Sequence, residues 1–218
     1  MKSFPRLYGL VISAGTSQRM GKFKPLLHYQ GVPFLINILA KMSTVCQKIR
    51  VVTGFRHEEI AETISRFFHQ PSPSFWKSAG FSEAEWRDIF PRVQTVYNKN
   101  YRLGMFSSLQ SGIRNIVDAD WILYHFVDQP HLPFSFYREL TDQIRPEMNW
   151  IQPTFRGKKG HPILLHQQLI PDLLNFPTNR SLAQFLQYFH PRQYVWKCSY
   201  PQILQDVDTP EDYQRINE

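Results

Sequence analysis

Short apolar runs alternate with longer amphipathic segments through the first two-thirds of the chain. The run Leu7–Ser13 is apolar and is followed at once by small residues, which is typical of a buried strand. Comparable runs predict six further strands, at residues 49–53, 93–97, 121–127, 150–153, 162–165 and 194–198. A turn over residues 156–160 is expected to join the strands at 150–153 and 162–165.

Apolar residues three and four positions apart predict helices between these strands. Ile60, Ile64, Phe67 and Phe68, for example, lie in phase on one face of a helix. Pro33 suits the first position of another, because its missing N–H group is not needed there. The predicted helices span residues 33–45, 58–68, 105–116, 134–144, 170–176, 181–189 and 211–217.

The alternation of strands and helices predicts an α/β fold, with a three-layer, Rossmann-like, mainly parallel sheet and helices on both faces. We expect a single domain over residues 1–218. Ligands of such sheets bind outside the carboxyl ends of the strands. The polar loops after Ser13, Thr53, Tyr97 and Val127 all lie at those ends, so we expect the functional site there.

Residues 70–92 break the rhythm of strands and helices and are interpreted as an insertion. One short helix is expected within it, around residues 83–90. Its aromatic residues suggest exposure at first sight, but a small local core is the more ordinary role for such a set. The prolines of this segment are Pro71, Pro73 and Pro91, and the aromatics in question are Phe75, Trp76 and Trp86.

Composition indicates an ordered, basic protein. Hydrophobic residues make up 42% and charged residues 20% of the 218, which is ordinary globular usage. The formal net charge of +7 favours an anionic ligand, although it attracts nucleotides and nucleic acid equally. The basic residues are scattered rather than gathered in a tract, so we expect a small anionic ligand and no nucleic acid.

The cysteines and the N-terminus suggest a cytoplasmic protein that does not bind membranes. Cys46 and Cys198 have no ligand-spaced partners and are expected to be free thiols in a reducing compartment. Residues 1–6 show no signal-peptide pattern. The apolar run 7–12 is far shorter than the ~20 residues that span a bilayer.

The loop at residues 14–24 carries the first candidate chemistry. Small residues directly after a strand allow backbone N–H groups to approach a phosphate closely. The loop also holds two hydroxyls, one arginine and two lysines: Thr16, Ser17, Arg19, Lys22 and Lys24. Its spacing matches neither the GxxxxGK[ST] phosphate loop nor the GxGxxG dinucleotide turn. The spacing alone therefore leaves two interpretations open: a phosphate-binding loop, or a basic loop that is exposed to solvent and binds nothing.

Two aspartates are candidate metal ligands. Asp128 directly follows the strand at 121–127, where it is either a turn former or a ligand of Mg²⁺. Near the C-terminus, residues 209–212 have the pattern of a helix start: a cap, a first-position proline and an acidic third residue. Helix capping accounts for these residues and for Asp208, but it leaves Asp206 without a structural role.

Taken together, these segments resemble the MobA/MocA-like NTP transferases, the family of molybdenum cofactor guanylyl- and cytidylyltransferases. Residues 14–24 resemble the family signature (L)AAGxSxRMGxxK, apart from Ser13, which stands where the family usually has alanine. Residues 98–112 resemble N-x-x-[WY]-x-x-G-M-x-x-S-L-x-x-G, although Gly104 or Ser107 would also serve there as an ordinary helix cap. The remaining matches are residues 128–130 to DxP, 157–162 to GxxGxP and 206–212 to D-[IV]-D-T-P-E-D.

The resemblance implies a GT-A type nucleotidyltransferase fold with sites for an NTP, Mg²⁺ and a phosphorylated acceptor. The implied catalytic residues are Arg19, Lys24 and Asp128, with Arg19 and Lys24 neutralising the β- and γ-phosphates. The implied nucleotide-binding residues are Ala14, Gly15, Thr16, Ser17, Arg19, Lys24, Thr53, Gly54, Asn98, Gly104, Met105 and Ser108. The implied metal ligands are Asp128 and Asp206, the latter favoured over Asp208, and the implied acceptor-binding residues are Lys159, Gly160 and His161.

The resemblance favours transfer of CMP from CTP to molybdopterin, with release of pyrophosphate. Ala14 is the choice typical of the cytidylyltransferases, since the guanylyltransferases usually carry glycine there. Residues 178–181, however, match poorly the GDxGxR pattern that cytidylyltransferases often show. Guanylyl transfer and a sugar-phosphate or methylerythritol-phosphate acceptor therefore stay open. So does a non-catalytic chaperone that delivers molybdenum cofactor to a molybdoenzyme partner.

Overall fold

Four adjacent parallel strands form one side of an eight-stranded sheet in the computed structural model, which describes residues 5–69 and 80–218. The described strands are β1 (Leu7–Ser13), β2 (His28–Tyr29), β3 (Val32–Pro33), β4 (Lys48–Thr53), β5 (Val93–Tyr97), β6 (Trp121–Phe126), β7 (Trp150–Phe155), β8 (Lys158–Lys159), β9 (Ile163–His166) and β10 (Gln193–Lys197). The sheet order is β10-β7-β9-β6-β1-β4-β5, and β8 forms a hairpin with β7. Within the described part of this sheet, only β9 and β8 run antiparallel to their neighbours, which confirms that the sheet is mainly parallel.

Helices cover both faces of this sheet, as the α/β pattern predicts. The described helices are α1 (Phe34–Met42), α2 (His57–His69), α3 (Glu83–Ile89), α4 (Met105–Ile113), α5 (Phe134–Thr141), α6 (Ile170–Asn175), α7 (Leu182–Phe189) and α8 (Pro210–Asn217). Alternate residues of β1 enter two separate cores: Leu7 and Val11 pack with α1, α2 and α5, whereas Leu10 and Ile12 pack with α4, α6 and α7. The two-residue period of a strand thus divides its side chains between the two layers.

The parallel register brings the strand ends, and so the polar loops, to one edge of the sheet. Ser13 at the end of β1 pairs with Thr53 at the end of β4, and Thr53 pairs with Tyr97 at the end of β5. On the other side, Ile12 pairs with Phe126 at the end of β6. Because these positions are level, the four loops that follow must lie side by side.

The described part of the interpreted insertion, residues 80–92, is integral to the core. Its helix α3 begins with a capping box between Ser82 and Glu85, close to where the sequence predicts a helix. Trp86 is completely buried, stacks on Phe68 at 4.9 Å between ring centroids and donates its indole N–H to the Phe67 carbonyl. Trp86 is therefore a core residue, the more ordinary of the two roles that the sequence suggests, because α2 offers it an aromatic surface. Phe75, Trp76, Pro71 and Pro73 lie outside the described residues.

Short elements depart from the sequence prediction. The hairpin β2–β3 was not predicted; its turn uses Gln30 and Gly31, both with left-handed φ angles of 51° and 80°. Pro33 ends that hairpin and lies one position before α1 instead of within it. Among the described residues, none of the helices combines the length and the apolar character that a bilayer crossing requires.

Candidate active site

The loop after β1 folds into a tight turn that is closed by a hydrogen bond to the hydroxyl group of Ser17. Residues Gln18–Met20 form a single 3-10 turn between Ser17 and Gly21, whose φ angles of 56° and 66° are left-handed. The Oγ of Ser17 accepts a hydrogen bond of 3.1 Å from the backbone N–H of Lys24. Met20 is buried in a small apolar cluster beneath the turn. The loop is thus fixed, with its polar groups turned to one side.

Lys24 and Arg19 hold one acidic side chain between them. The Nζ of Lys24 contacts Oδ1 of Asp208, and Nη2 of Arg19 lies 2.8 Å from the other oxygen. The Lys24 side chain is only 10% exposed, whereas that of Arg19 is 74% exposed. An ion pair as exposed as Arg19–Asp208 contributes only ~0–1 kcal/mol to stability, so Arg19 can exchange it for an anionic ligand at little cost.

Asp128 has a carboxyl group in an acidic and partly dry environment. Burial, followed by the charge of Asp206, raises the pKa of Asp128 to about 7, although Lys24 acts in the opposite direction. The pKa of Asp206 is also raised, by burial of its carboxyl group and by the charge of Asp208. In the part of the chain that the structure describes, no group donates to the buried Oδ1 of Asp128. A bound cation would reduce the repulsion among these carboxylates. It would also give Oδ1 of Asp128 a partner.

Residues 203–208, which we call the acidic strap, are fastened to the Asp128 loop. The backbone N–H of Val207 donates to the carbonyl of Asp128 at 2.9 Å. The side-chain amide of Gln129 donates to the carbonyl of Ile203 at 3.1 Å and to Oδ1 of Asp206 at 2.9 Å. Asp206 as a whole is solvent-exposed, but the bond to Gln129 directs its carboxyl group towards the protein.

A cavity of about 400 Å³ joins the loop after β1 to Asp128 and Asp208. This volume is within the usual range for small-molecule sites. A Cβ placed on Gly15 would meet nothing within 4 Å, so its backbone faces open space. The residues of the predicted site that line the cavity are Ala14, Gly15, Thr16, Ser17, Arg19, Lys24, Gly104, Met105, Ser108 and Asp128. Tertiary structure therefore brings together segments that are far apart in the sequence.

Three predicted nucleotide-binding residues lie behind the cavity wall instead of on it. Asn98 is buried, and its amide donates to the hydroxyls of Ser107 at 2.9 Å and Ser108 at 3.1 Å. Gly54 packs against Tyr101: a Cβ there would lie 2.6 Å from that side chain. Thr53 is buried and reaches only the carbonyl of Val96, at 3.4 Å. Asn98 and Gly54 thus affect the cavity through the residues they contact.

The hairpin predicted to bind the acceptor lies beside the cavity. His161 has its ring 4.6 Å from that of Phe126, which does line the cavity, and burial lowers the pKa of His161 to about 4. Gly160 packs under Ile203 with no space for a Cβ. Lys159 is exposed and contacts the side chain of Gln193 at 3.3 Å. Of the three, His161 is the one next to a cavity residue.

The predicted site did not include Tyr101, which lines the cavity, or Gln129, which fastens the strap. It ranked Asp208, which also lines the cavity, below Asp206 as a metal ligand. Asp208 was assigned to helix capping, but Thr209 and Asp212 complete the capping box by themselves. Its carboxylate is therefore available to Lys24 and Arg19. Asp206, in contrast, lines a second cavity of about 350 Å³ that His131 also borders. The signal that could have found Asp208 is its spacing of two residues from Asp206 in Asp-Val-Asp.

Comparisons with known proteins show the family and the fold. The family model described as the MobA-like NTP transferase domain matches residues 9–194. The chain is 24% identical over 204 residues to the molybdenum cofactor cytidylyltransferase of Escherichia coli, covering 94% of this chain and 92% of that protein. It is 26% identical over 219 residues to a probable molybdenum cofactor guanylyltransferase of Bacillus cytotoxicus, covering 95% and 94%. A nucleotidyl transferase of Methanothermobacter thermautotroptrophicus shares the fold, with a TM-score of 0.73, 23% identity and coverage of 97% and 96%.

Proposed function

Since the chain belongs to the MobA-like NTP transferase family and is a nucleotidyltransferase, we propose that it transfers CMP from CTP to the phosphate of molybdopterin. Pyrophosphate is the second product. The observation that carries this proposal is the single cavity in which the loop at residues 14–24 faces Asp128 and Asp208. Cationic side chains that lie beside carboxylates in one cavity suit a triphosphate that is bound together with a divalent metal.

The proposed reaction is an in-line displacement at the α-phosphorus of the NTP. A phosphate oxygen of the acceptor forms the new P–O bond, and the bond from the α-phosphorus to the bridging oxygen breaks as pyrophosphate leaves. Such reactions depend on positioning and on stabilisation of negative charge. Lys24 is enclosed beside Asp128, whereas the exposed Arg19 can exchange its ion pair with Asp208 for a contact with the leaving group. We propose that these two cations neutralise the β- and γ-phosphates.

Members of this family typically use a divalent metal, and we propose Mg²⁺ for this chain. Asp128 would hold it through its donor-free Oδ1, with a second carboxylate from the acidic strap. We propose Asp206 for that role; Asp208 is the rival, because it lines the nucleotide cavity. When bound, the metal would neutralise phosphate charge without any transfer of protons.

The other assignments follow the cavity wall. The nucleotide base and ribose are proposed to lie at the end formed by Gly104, Met105 and Ser108, away from the cationic loop. The acceptor is proposed to lie on the side of His161, next to Phe126. Because the lowered pKa keeps His161 neutral near pH 7, it would bind the acceptor by hydrogen bonding instead of charge. Lys159 would supply a solvent-exposed positive charge.

Pyrophosphate release tests the proposal directly. The purified protein is assayed with CTP, GTP, ATP and UTP, each with molybdopterin, a sugar phosphate or methylerythritol phosphate, with and without Mg²⁺. We expect release with CTP and molybdopterin that requires Mg²⁺. No release with any pair, despite tight binding of molybdenum cofactor, would show a cofactor chaperone instead.

GTP is the alternative donor, favoured by the similarity to the B. cytotoxicus guanylyltransferase. Ala14 in the cavity wall supports CTP, because the resemblance associates alanine at this position with cytidylyltransferases and glycine with guanylyltransferases. Faster turnover of GTP than of CTP in the same assay would reverse this choice and leave the reaction type intact. Steep salt-dependent affinity for random duplex DNA would instead support a nucleic-acid binder.

A further inference from the structure

We infer that Gln129 is a positioning residue whose buried amide holds the acidic strap, and with it Asp206 and Asp208, beside Asp128. The inference rests on the proposed metal-dependent reaction, but none of the proposed chemical steps uses Gln129 itself. Its side chain is fully enclosed, with an exposure of 0%. Its role is therefore to arrange other groups and not to touch the substrate.

Both hydrogens of the Gln129 amide are used on the strap. One bonds to the carbonyl of Ile203 at 3.1 Å and the other to Oδ1 of Asp206 at 2.9 Å. Two bonds from one NH₂ group fix both the position of the strap backbone and the orientation of a carboxylate. The backbone N–H of Val207, the residue after Asp206, donates to the carbonyl of Asp128 at 2.9 Å, so the strap is held at residues 203, 206 and 207.

These bonds oppose an electrostatic repulsion. The negative charges of Asp206 and Asp208 both repel a negative charge on Asp128 and so raise its pKa. Without a donor, Asp206 would be expected to turn its carboxylate into solvent and away from Asp128. The Gln129 amide supplies that donor and favours the ionised form of Asp206. It thereby keeps two acidic groups close together before any cation arrives, which is preorganisation of a metal site.

The same strap also supports the hairpin proposed to bind the acceptor. The Ile203 carbonyl accepts hydrogen bonds from both the Gln129 amide and the backbone N–H of His161, the latter at 3.2 Å. Gly160 lies so close that an added Cβ would be 2.4 Å from that carbonyl oxygen. Movement of Ile203 would therefore be transmitted to His161. Gln129 thus links the metal-binding acids to the acceptor side of the site.

The test compares Gln129→Met with a matched control, Gln110→Met. Methionine is similar in shape to glutamine but donates no hydrogen bond. Gln110 is also buried, and its amide also donates to backbone carbonyls, but these belong to Leu173 at 2.9 Å and Phe176 at 2.8 Å and not to the strap. Both substitutions remove buried hydrogen bonds, so both should lower the melting temperature. Only Gln129→Met should change the metal site.

The experiment measures Mn²⁺ binding in the presence of α,β-methylene CTP. Binding is detected as a loss of the electron paramagnetic resonance signal of free Mn²⁺. Because this analogue cannot react, the measurement does not depend on turnover. We expect Gln129→Met to weaken Mn²⁺ binding roughly 10- to 100-fold, the usual effect of removing a residue that orients metal ligands. Gln110→Met should bind Mn²⁺ like the wild type. Equal Mn²⁺ affinity in both variants would overturn the inference.

A second variant covers the case in which Gln129→Met does not fold. Gln129→Asn keeps the amide, but it is one methylene too short to reach both partners, so an intermediate loss of Mn²⁺ affinity is expected.

The two proposals fail in different ways. A wild-type protein that binds Mn²⁺ and the analogue but releases no pyrophosphate from CTP or GTP would reject the proposed function. An active wild type whose Gln129 variants bind Mn²⁺ normally would reject only the role of Gln129.

Discussion

The ammonium group of Lys24 and the carboxylate of Asp128 lie 4.0 Å apart, although one belongs to the loop after the first strand and the other follows the sixth strand in the chain. The two groups are partners in a mixed cluster with Asp208. Lys24 partly offsets the repulsion among the acidic groups in the absence of ligand. The arrangement couples the proposed triphosphate-binding loop to the proposed metal ligand.

Removal of either group should abolish most activity while leaving the fold intact. We expect Asp128→Asn and Lys24→Met to lower kcat by on the order of 10²–10³, the usual cost of losing one electrostatic element. Circular dichroism and thermal melts provide the control for folding. Normal turnover by either folded variant would refute the assignment of these residues.

Stability without metal should fall as the pH rises towards neutrality. The pKa of Asp128 rises from its ordinary 3.8 to about 7 on folding, so the folded state binds a proton that the unfolded state has released. The stabilisation from this group is complete below about pH 4 and is lost as the pH passes through 7. Urea unfolding in EDTA should therefore show a decline between these values that Asp128→Asn lacks. Parallel curves for the two proteins would contradict the raised pKa.

Two glycines should respond differently to alanine. A Cβ on Gly15 meets no atom within 4 Å, so Gly15→Ala should fold normally but weaken NTP binding by intruding on the cavity. A Cβ on Gly54 would lie 2.6 Å from Tyr101 and 2.8 Å from the carbonyl of Ala14, so Gly54→Ala should lower stability as well. Melting temperatures and NTP affinities of both variants check this. A large stability loss for Gly15→Ala would be the unexpected result.

Trp86 should be structural and not functional. Its complete burial against Phe68 predicts that Trp86→Ala lowers the free energy of unfolding by ~3–5 kcal/mol. Ser82→Ala, which removes the cap of the same helix, should cost only ~1 kcal/mol. Denaturant titrations give both values, and an assay well below the melting temperature should find kcat of Ser82→Ala unchanged. An effect of Trp86→Ala below 1 kcal/mol would show that residues 80–92 are not part of the core.

The sequence by itself determined the layers and the edge of the sheet where the site lies. Strand β1, for instance, was predicted with its observed bounds, Leu7–Ser13, because an apolar run followed by small residues is a local signal. The loop after it was recognised from residue types that a phosphate requires. These features depend on neighbours in the sequence, so the sequence alone is sufficient to find them.

Only the tertiary structure decided which acidic and aromatic residues face one another. The sequence separates Asp206 from Asp208 only by the helix start that follows them, whereas the path of the strap places Asp208 against Lys24 and Asp206 against Gln129. Trp86 likewise needed the aromatic surface of α2 before its burial was evident. The physical reason is that side-chain direction and desolvation depend on contacts between distant segments. A local pattern specifies the residue type at a position but not the partner it will meet.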